Sequence, residues 1–128
     1  TQNHIIRAAE ESIAYQSADL MGAMEKDTGI KIRTLKVDGG ASANNFLMQF
    51  QADLTGVRII RPSVMESTAL GAAMFAGLAV GFWHSTDEIC ALLKPDRTFS
   101  PEAAPALMEQ RRKRWHEAVR RSRHWIEE

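Results

Sequence analysis

Between Asn3 and about Lys26 the apolar residues Ile6, Ala9, Ile13, Leu20 and Met24 return at helical spacing, and Gly29 follows as a stop. This pattern predicts a long amphipathic helix with those residues as its apolar stripe. Lys31 to Asp38 (KIRTLKVD) alternates Ile32, Leu35 and Val37 with polar residues, which predicts a strand ending at Gly39. Ser42 to Leu54 puts Ala43, Phe46, Leu47, Phe50 and Leu54 on one helix face, and Gly56 closes it. A second strand, Val57 to Arg61, ends at Pro62.

Ser63 and Glu66 stand at capping-box spacing before a long apolar run, so a third helix is expected from there to about Val80, with Gly81 after it. Thr86, Asp87 and Glu88 read as the cap and acidic first turn of a short helix reaching Leu93. Lys94 to Ser100 reads as an irregular or short extended connection. From Pro101 the chain is again helical, with Met108, Trp115, Val119, Ser122 and Ile126 on one stripe and Pro105 delaying or kinking the start. Strands alternating with helices indicate an α/β layer with parallel pairing, yet two strands are too few for a self-sufficient sheet. The remainder of the sheet is expected in sequence outside this chain. The opening TQNHIIRAAEESIAYQ, periodic already at Ile5, adds the expectation of a C-terminal piece of a longer protein.

Composition narrows the classes without choosing a function. With 45% hydrophobic and 25% charged residues in 128, a packed core is feasible. Sixteen basic and sixteen acidic residues cancel, which removes a global charge reason for a nucleic-acid or anionic-membrane partner. The single cysteine, Cys90, excludes an internal disulfide and a multi-cysteine metal site, fits a reducing, cytoplasmic setting, and reads as a core thiol in its short helix. His4, His84, His116 and His124 lack metal-ligand spacing, and no Ser, His and Asp pattern marks a hydrolase.

Three features compete for a functional role. At Asp38-Gly39-Gly40 a strand passes into a helix through a loop without side chains, where backbone amides can approach an anion; Asn44, placed in the first turn, offers an amide to the same corner. The alternative is a tight corner with no ligand, and spacing leaves both open. Ala69 to Trp83 is uncharged and carries GxxxG spacing at Gly77 and Gly81, but is shorter than the roughly 20 residues of a membrane span. Its small residues Ala69, Gly71, Ala72, Ala73 and Ala76 read as a surface for close packing against a sheet or a neighbouring backbone. The basic run Arg111, Arg112, Lys113 and Arg114, continued by Arg120, Arg121 and Arg123, reads as the solvated, dipole-favoured side of the last helix rather than a nucleic-acid surface.

Taken together, VDGGASANNFLMQFQADLTG, RIIRP and ESTALGAAMFAGLAVGFW resemble the C-terminal region of the glycerol-phosphorylating members of the FGGY carbohydrate kinase family. HIIRAAEESIAYQ is similar to the end of that family's second signature, with His4, Ile5, Ala8 and Glu11 fitting; Glu10 departs from it, since a large apolar residue is usual there. The resemblance covers nearly the whole chain and weakens after Phe99. It implies residues 1–128 as the nucleotide-side portion of a C-terminal actin-like (ribonuclease H-like) ATPase domain, an incomplete sheet flanked by helices, with ATP bound between two domains.

Carried onto this sequence, the resemblance implies that Gly40 contacts the nucleotide through its backbone and Asn44 through its side chain, with Gly39 providing room. Asp38 is assigned a turn-stabilising role first and an indirect nucleotide role second, and Glu66 to Ala73 a scaffold helix behind the cleft. The implied reaction moves the γ-phosphoryl group of ATP to glycerol with Mg2+ neutralising the phosphates; base and glycerol pocket fall outside this chain, which is expected to be inactive alone and to hold no metal ligands. The alternatives are another FGGY sugar kinase, of xylulose or gluconate type, or a non-catalytic nucleotide-binding or interaction module. Taken by itself the chain would expose sheet edges and apolar helix faces that the missing segments normally cover, which implies a homo-oligomer or a rearranged chain.

Overall fold

The computed structural model describes residues 1–64 and 66–123. Helix α1 runs Gln2–Thr28 and stops where Gly29 turns left-handed at φ 69°, its N–H returning to the Glu25 carbonyl at 2.9 Å. Strand β1 is Thr34–Lys36, shorter than the alternation predicts. A 3-10 turn, Gly40–Ala43, leads into α2, Asn45–Thr55, which ends on left-handed Gly56. Then come β2 (Arg58–Pro62), α3 (Ser67–Ala79), α4 (Thr86–Leu92), β3 (Pro95–Phe99) and α5 (Pro105–Ser122).

The sheet is mixed, in the order β1-β2-β3: β1 and β2 are parallel, and β2 and β3 antiparallel. Of the two readings of Lys94–Ser100, irregular or short extended, the structure takes the extended one and makes it a third, paired strand. Its sequence, PDRTF, lacks an alternating apolar pattern, and only Phe99 is buried; pairing with β2, not side-chain patterning, makes it a strand. The register aligns Leu35 with Ile59 and Ile59 with Phe99. One row of side chains thus crosses all three strands toward α2, with Ile59 and Phe99 buried and Leu35 partly so.

Around that row α2 contributes Leu47, Met48, Phe50, Ala52 and Leu54, α1 contributes Ala14 and Ala18, and α5 contributes Met108. Phe46, assigned to the same face, is instead 37% exposed. The stripe predicted for α1 faces outward as well: Ile6, Ile13, Leu20 and Met24 are exposed, while Ala14, Ala18 and Met21 are buried. Two alanines leave α2 room to approach closely, and periodicity alone does not reveal which of two faces a neighbour covers.

Helix α5 starts with Pro105 at its first turn, so the proline sets the boundary. Of its predicted stripe, Met108 is buried and Trp115 half-buried, Val119 and Ser122 are exposed, and Ile126 lies outside the described residues. The helix is docked on α1. The Trp115 ring stacks on Tyr15 at 5.2 Å, Trp115 Nε1–H donates to Asp19 Oδ2 at 2.7 Å, and His116 Nε2 lies 2.7 Å from Asp19 Oδ1. Burial opposes ionisation of Asp19, but the hydrogen bonds from His116 and Trp115 outweigh it and hold the carboxyl below its ordinary value. A depressed carboxylate contributes stability above its unfolded-state value and loses it as pH falls through the lowered one. Stability measured from pH 6 down to pH 3 is therefore expected to fall less steeply in Asp19→Asn than in the wild type. Parallel profiles would show that Asp19 does not carry this linkage.

Helix α3 differs most from expectation. It has no buried residue, Ala69, Ala72, Ala73 and Ala76 are exposed, and Ser63 does not cap it; the N-cap position is Glu66. Ser63 N–H instead donates to the Lys94 carbonyl at 3.2 Å, continuing the β2–β3 ladder. Among the described residues no element covers the small-residue face. Gly77 has a local use: an added Cβ would come within 2.3 Å of the Trp83 ring, which folds back over it. On α4 the cap is Ser85, whose Oγ accepts from Glu88 N–H at 3.2 Å, in place of Thr86. Cys90 is exposed rather than a core thiol, because the buried position of this short helix is Ile89.

Candidate nucleotide-binding corner

The β1–α2 corner is built from residues whose backbone demands are specific. Gly39 sits at φ 78°, ψ 170°, a conformation open essentially to glycine alone. No protein atom lies within 4 Å of where its Cβ would be, so within the chain itself Gly39 is needed for its backbone shape, and the space beside it is open. Gly40 has open space at its Cβ position too, is exposed, and starts the 3-10 turn. Asp38 is exposed, and the turn is held by Ser42 in its place: Ser42 Oγ–H and N–H both donate to the Gly39 carbonyl, at 2.7 and 3.0 Å. At the start of such a turn the amides of Gly40 and Ala41 have no intrahelical acceptor, and none among the described residues receives them.

Asn44 is the N-cap of α2 rather than a first-turn residue. Its Oδ1 accepts the Leu47 N–H at 3.1 Å, and its Nδ2–H donates to Glu10 Oε1 at 2.6 Å. A carboxamide has two donor hydrogens and two acceptor lone pairs, so one of each remains for a ligand. Gly39, Gly40 and Asn44 thus come together at one corner. Beside them, between the starts of α1 and α2, is an open groove of about 250 Å³ lined by Asn3, Ile6, Arg7, Glu10 and Phe46. Arg7 lies over the Phe46 ring at 5.1 Å and pairs with Glu11 at 2.8 Å.

Arg61, which the strand pattern marks only as the end of β2, is the main support of this corner. Its Nη1 donates to the carbonyls of Ser42 at 3.0 Å and Ala43 at 3.3 Å and to Asn45 Oδ1 at 3.0 Å. Its Nε and Nη2 hold Asp96 Oδ2 at 2.9 and 2.6 Å, and its guanidinium lies 5.4 Å from the Phe99 ring centre. The parallel register explains the placement: Lys36 pairs with Ile60, and Val37 N–H donates to the Ile60 carbonyl, so Arg61 stands where the chain leaves β1. A cation ending a strand parallel to the one that enters a glycine corner is the signal that identifies it.

A larger groove, about 520 Å³, lies elsewhere, between the end of α2 and α5, and is lined by Asp53, Gly56, Met108, Arg112, Lys113 and His116 among others. It contains none of Gly39, Gly40 or Asn44, and its Asp53 is occupied by the N–H groups of Glu102 and Ala103. Neither groove is lined by Gly39, Gly40 or Asn44, so it is the free amides and the half-free carboxamide, and not a cavity, that mark the candidate corner. The basic run of α5 is largely paired: Arg111 with Glu11, Lys113 with Glu109, and Arg120 and Arg121 with Glu117. Among the described residues no three His, Cys, Asp or Glu side chains gather as a metal site, and no helix is long and apolar enough to cross a membrane.

Residues 1–80 match the model of the FGGY family of carbohydrate kinases, C-terminal domain. The chain is 57% identical over 127 residues to the glycerol kinase of Clostridium beijerinckii, covering 99% of this chain and 26% of that protein. It is 53% identical over 125 residues to the glycerol kinase of Deinococcus radiodurans, 98% of this chain and 25% of that one. The chain spans about a quarter of the length of these relatives. In three dimensions it superposes on the crystal structure of Plasmodium falciparum glycerol kinase with ADP with a TM-score of 0.85 at 34% identity, covering 96% of this chain and 25% of that one. For the ligand-bound xylulose kinase of Lactobacillus acidophilus the TM-score is 0.76 at 23% identity, over 95% of this chain and 25% of that one, a likeness of fold alone. The α/β architecture, helices around a small sheet, is thus part of the actin-like ATPase fold of these kinases. Since the matched residues 1–80 are more than half of the 128, the chain belongs to the FGGY family of carbohydrate kinases.

Proposed function

We propose that this chain is the nucleotide-side portion of the C-terminal domain of a glycerol kinase, and that the intact protein transfers the γ-phosphoryl group of ATP to a terminal hydroxyl of glycerol. The observation that carries the reading is the 57% identity to a glycerol kinase spread over 99% of this chain. In the reaction the glycerol oxygen attacks the γ-phosphorus, the bond to the ADP oxygen breaks, and the hydroxyl proton passes to a base. Such transfer depends on positioning and charge stabilisation. The contribution assigned to this chain is to hold the nucleotide: Gly40 by its free backbone N–H, Asn44 by the half of its carboxamide that Leu47 and Glu10 leave unused. Mg2+, when bound, would neutralise the phosphates. No residue of this chain is assigned the base, and no turnover is assigned to the chain alone.

The test is ATP-dependent formation of glycerol 3-phosphate by the intact protein. Phosphorylation of xylulose or gluconate in its place would move the assignment within the family, and nucleotide binding without any turnover would favour a non-catalytic module. Asn44→Ala is expected to raise the KM for ATP about tenfold, the worth of one or two hydrogen bonds, with the KM for glycerol little changed. Because alanine also removes the helix cap, at a cost of about 1 kcal/mol, Asn44→Ser serves as the control: it restores the cap but not the reach of the amide. Equal loss in both variants supports the nucleotide contact. An unchanged KM for ATP removes Asn44 from the site.

The proposal includes cytoplasmic, ATP-supplied activity without nucleic acid, and a homo-oligomer. Support for the last, as a property of this chain taken alone, is the apolar surface left exposed at Ile5, Ile13 and Leu20 of α1 and at Phe75 of α3. Sedimentation of the isolated chain checks it, and a sharp monomeric peak with cooperative unfolding would overturn it.

A further inference from the structure

The structure gives the Glu10 carboxylate a specific partner at the glycine corner. We infer that Glu10 is a positioning residue for nucleotide binding, acting through the Asn44 side chain. Glu10 lies on α1, 34 residues before Asn44, and its Oε1 accepts the Asn44 Nδ2–H at 2.6 Å, a short charge-assisted hydrogen bond between half-buried groups. The Leu47 N–H fixes the other end of the same amide at 3.1 Å. Held at both ends, the carboxamide keeps one orientation, with its second N–H and second lone pair left for a ligand. Here a hydrogen bond orients it.

The neighbouring charges favour this arrangement over a pairing of Glu10 with a cation. Arg7, one turn before Glu10, is taken by Glu11 at 2.8 Å and lies over the Phe46 ring, and Arg111 also turns to Glu11, at 3.3 Å. Glu10 thus has Asn44 as its hydrogen-bond partner among the described residues. Glu10 also lines an open groove of about 250 Å³ together with Asn3, Ile6, Arg7 and Phe46, next to the start of α2. Preorganising a ligand-binding side chain increases affinity by removing the entropy that binding would otherwise cost.

The inference rests on the nucleotide reading of the corner, and its test separates the two. In the intact protein, Glu10→Ala and Glu10→Gln are compared with wild type by calorimetric titration with ADP and by steady-state kinetics. Glu10→Ala is expected to weaken ADP binding and raise the KM for ATP by about fivefold, the cost of ordering one side chain, while kcat and the KM for glycerol stay within about twofold. Glu10→Gln, whose amide oxygen still accepts from Nδ2, is expected to bind ADP nearly as wild type does. Unchanged ADP affinity in Glu10→Ala overturns the inference. Equal weakening in both variants overturns it too, since charge would then be at work and not orientation; so does a parallel loss of kcat and both KM values, the mark of a structural residue. If the wild type binds ADP but does not phosphorylate glycerol, the glycerol kinase assignment fails, while the titrations still decide the role of Glu10.

Discussion

Replacing Phe99 with alanine is expected to cost about 3–5 kcal/mol of stability, the range for truncating a buried aromatic ring. A domain of ordinary stability has only about 5–15 kcal/mol in total, so this one change would leave it marginal or unfolded. Phe99 is 2% exposed, pairs with Ile59 across β2–β3, and ends the row Leu35–Ile59–Phe99 on which α2 packs. Its ring also carries two cations, Arg97 at 4.8 Å and Arg61 at 5.4 Å from the centroid. Phe99→Leu keeps most of the volume and is expected to cost less than about 1.5 kcal/mol. Urea denaturation of both variants reads the difference. Equal, small losses would mean that β3 does not complete the core.

The second large effect is at Arg61. Arg61→Ala is expected to lower stability by about 2–4 kcal/mol, because it strips a hydrogen-bond donor from three acceptors of the corner, one of them on buried Ser42. It is also expected to weaken ADP binding about tenfold, through loss of the shape of the Gly39–Ala43 turn. Arg61→Lys should rescue little, since an ammonium cannot reproduce the planar fork that reaches the turn on one side and Asp96 on the other. Asp96→Ala is the informative control. Asp96 is half exposed, so its ion pair with Arg61 is worth less than about 1 kcal/mol. Denaturation together with ADP titration separates the two functions of the guanidinium. A loss of stability with unchanged ADP affinity would show that the turn keeps its shape without Arg61.

Both residues were visible in the sequence and neither was legible as important. Phe99 closes a stretch, PDRTF, with a proline, an aspartate and an arginine, which has no period of its own and becomes a strand by hydrogen-bonding to β2. Arg61 reads as a strand-end cation until the parallel register sets it beside the departure of β1. Asn44 shows the same gap on a smaller scale. Its position after the glycine pair is plain in the sequence, but its role as a cap, and its bond to a residue 34 positions earlier, depend on how α1 lies against α2.

What the sequence determined by itself is the order and kind of most elements, the glycine stops at Gly29 and Gly56, the glycine corner at Gly39, and membership of the FGGY family. These depend on local periodicity, on φ values that only certain residues adopt, and on runs of residues matched along the chain. The tertiary structure decided the rest: a third, antiparallel strand, a buried face of α1 made of Ala14, Ala18 and Met21 rather than its larger apolar residues, an exposed α3, and the clamp of Arg61 and Glu10 around the corner. Periodicity records that a surface is apolar or a side chain charged. Which neighbour meets it is set by contacts between residues far apart in sequence, and those exist only once the chain has packed.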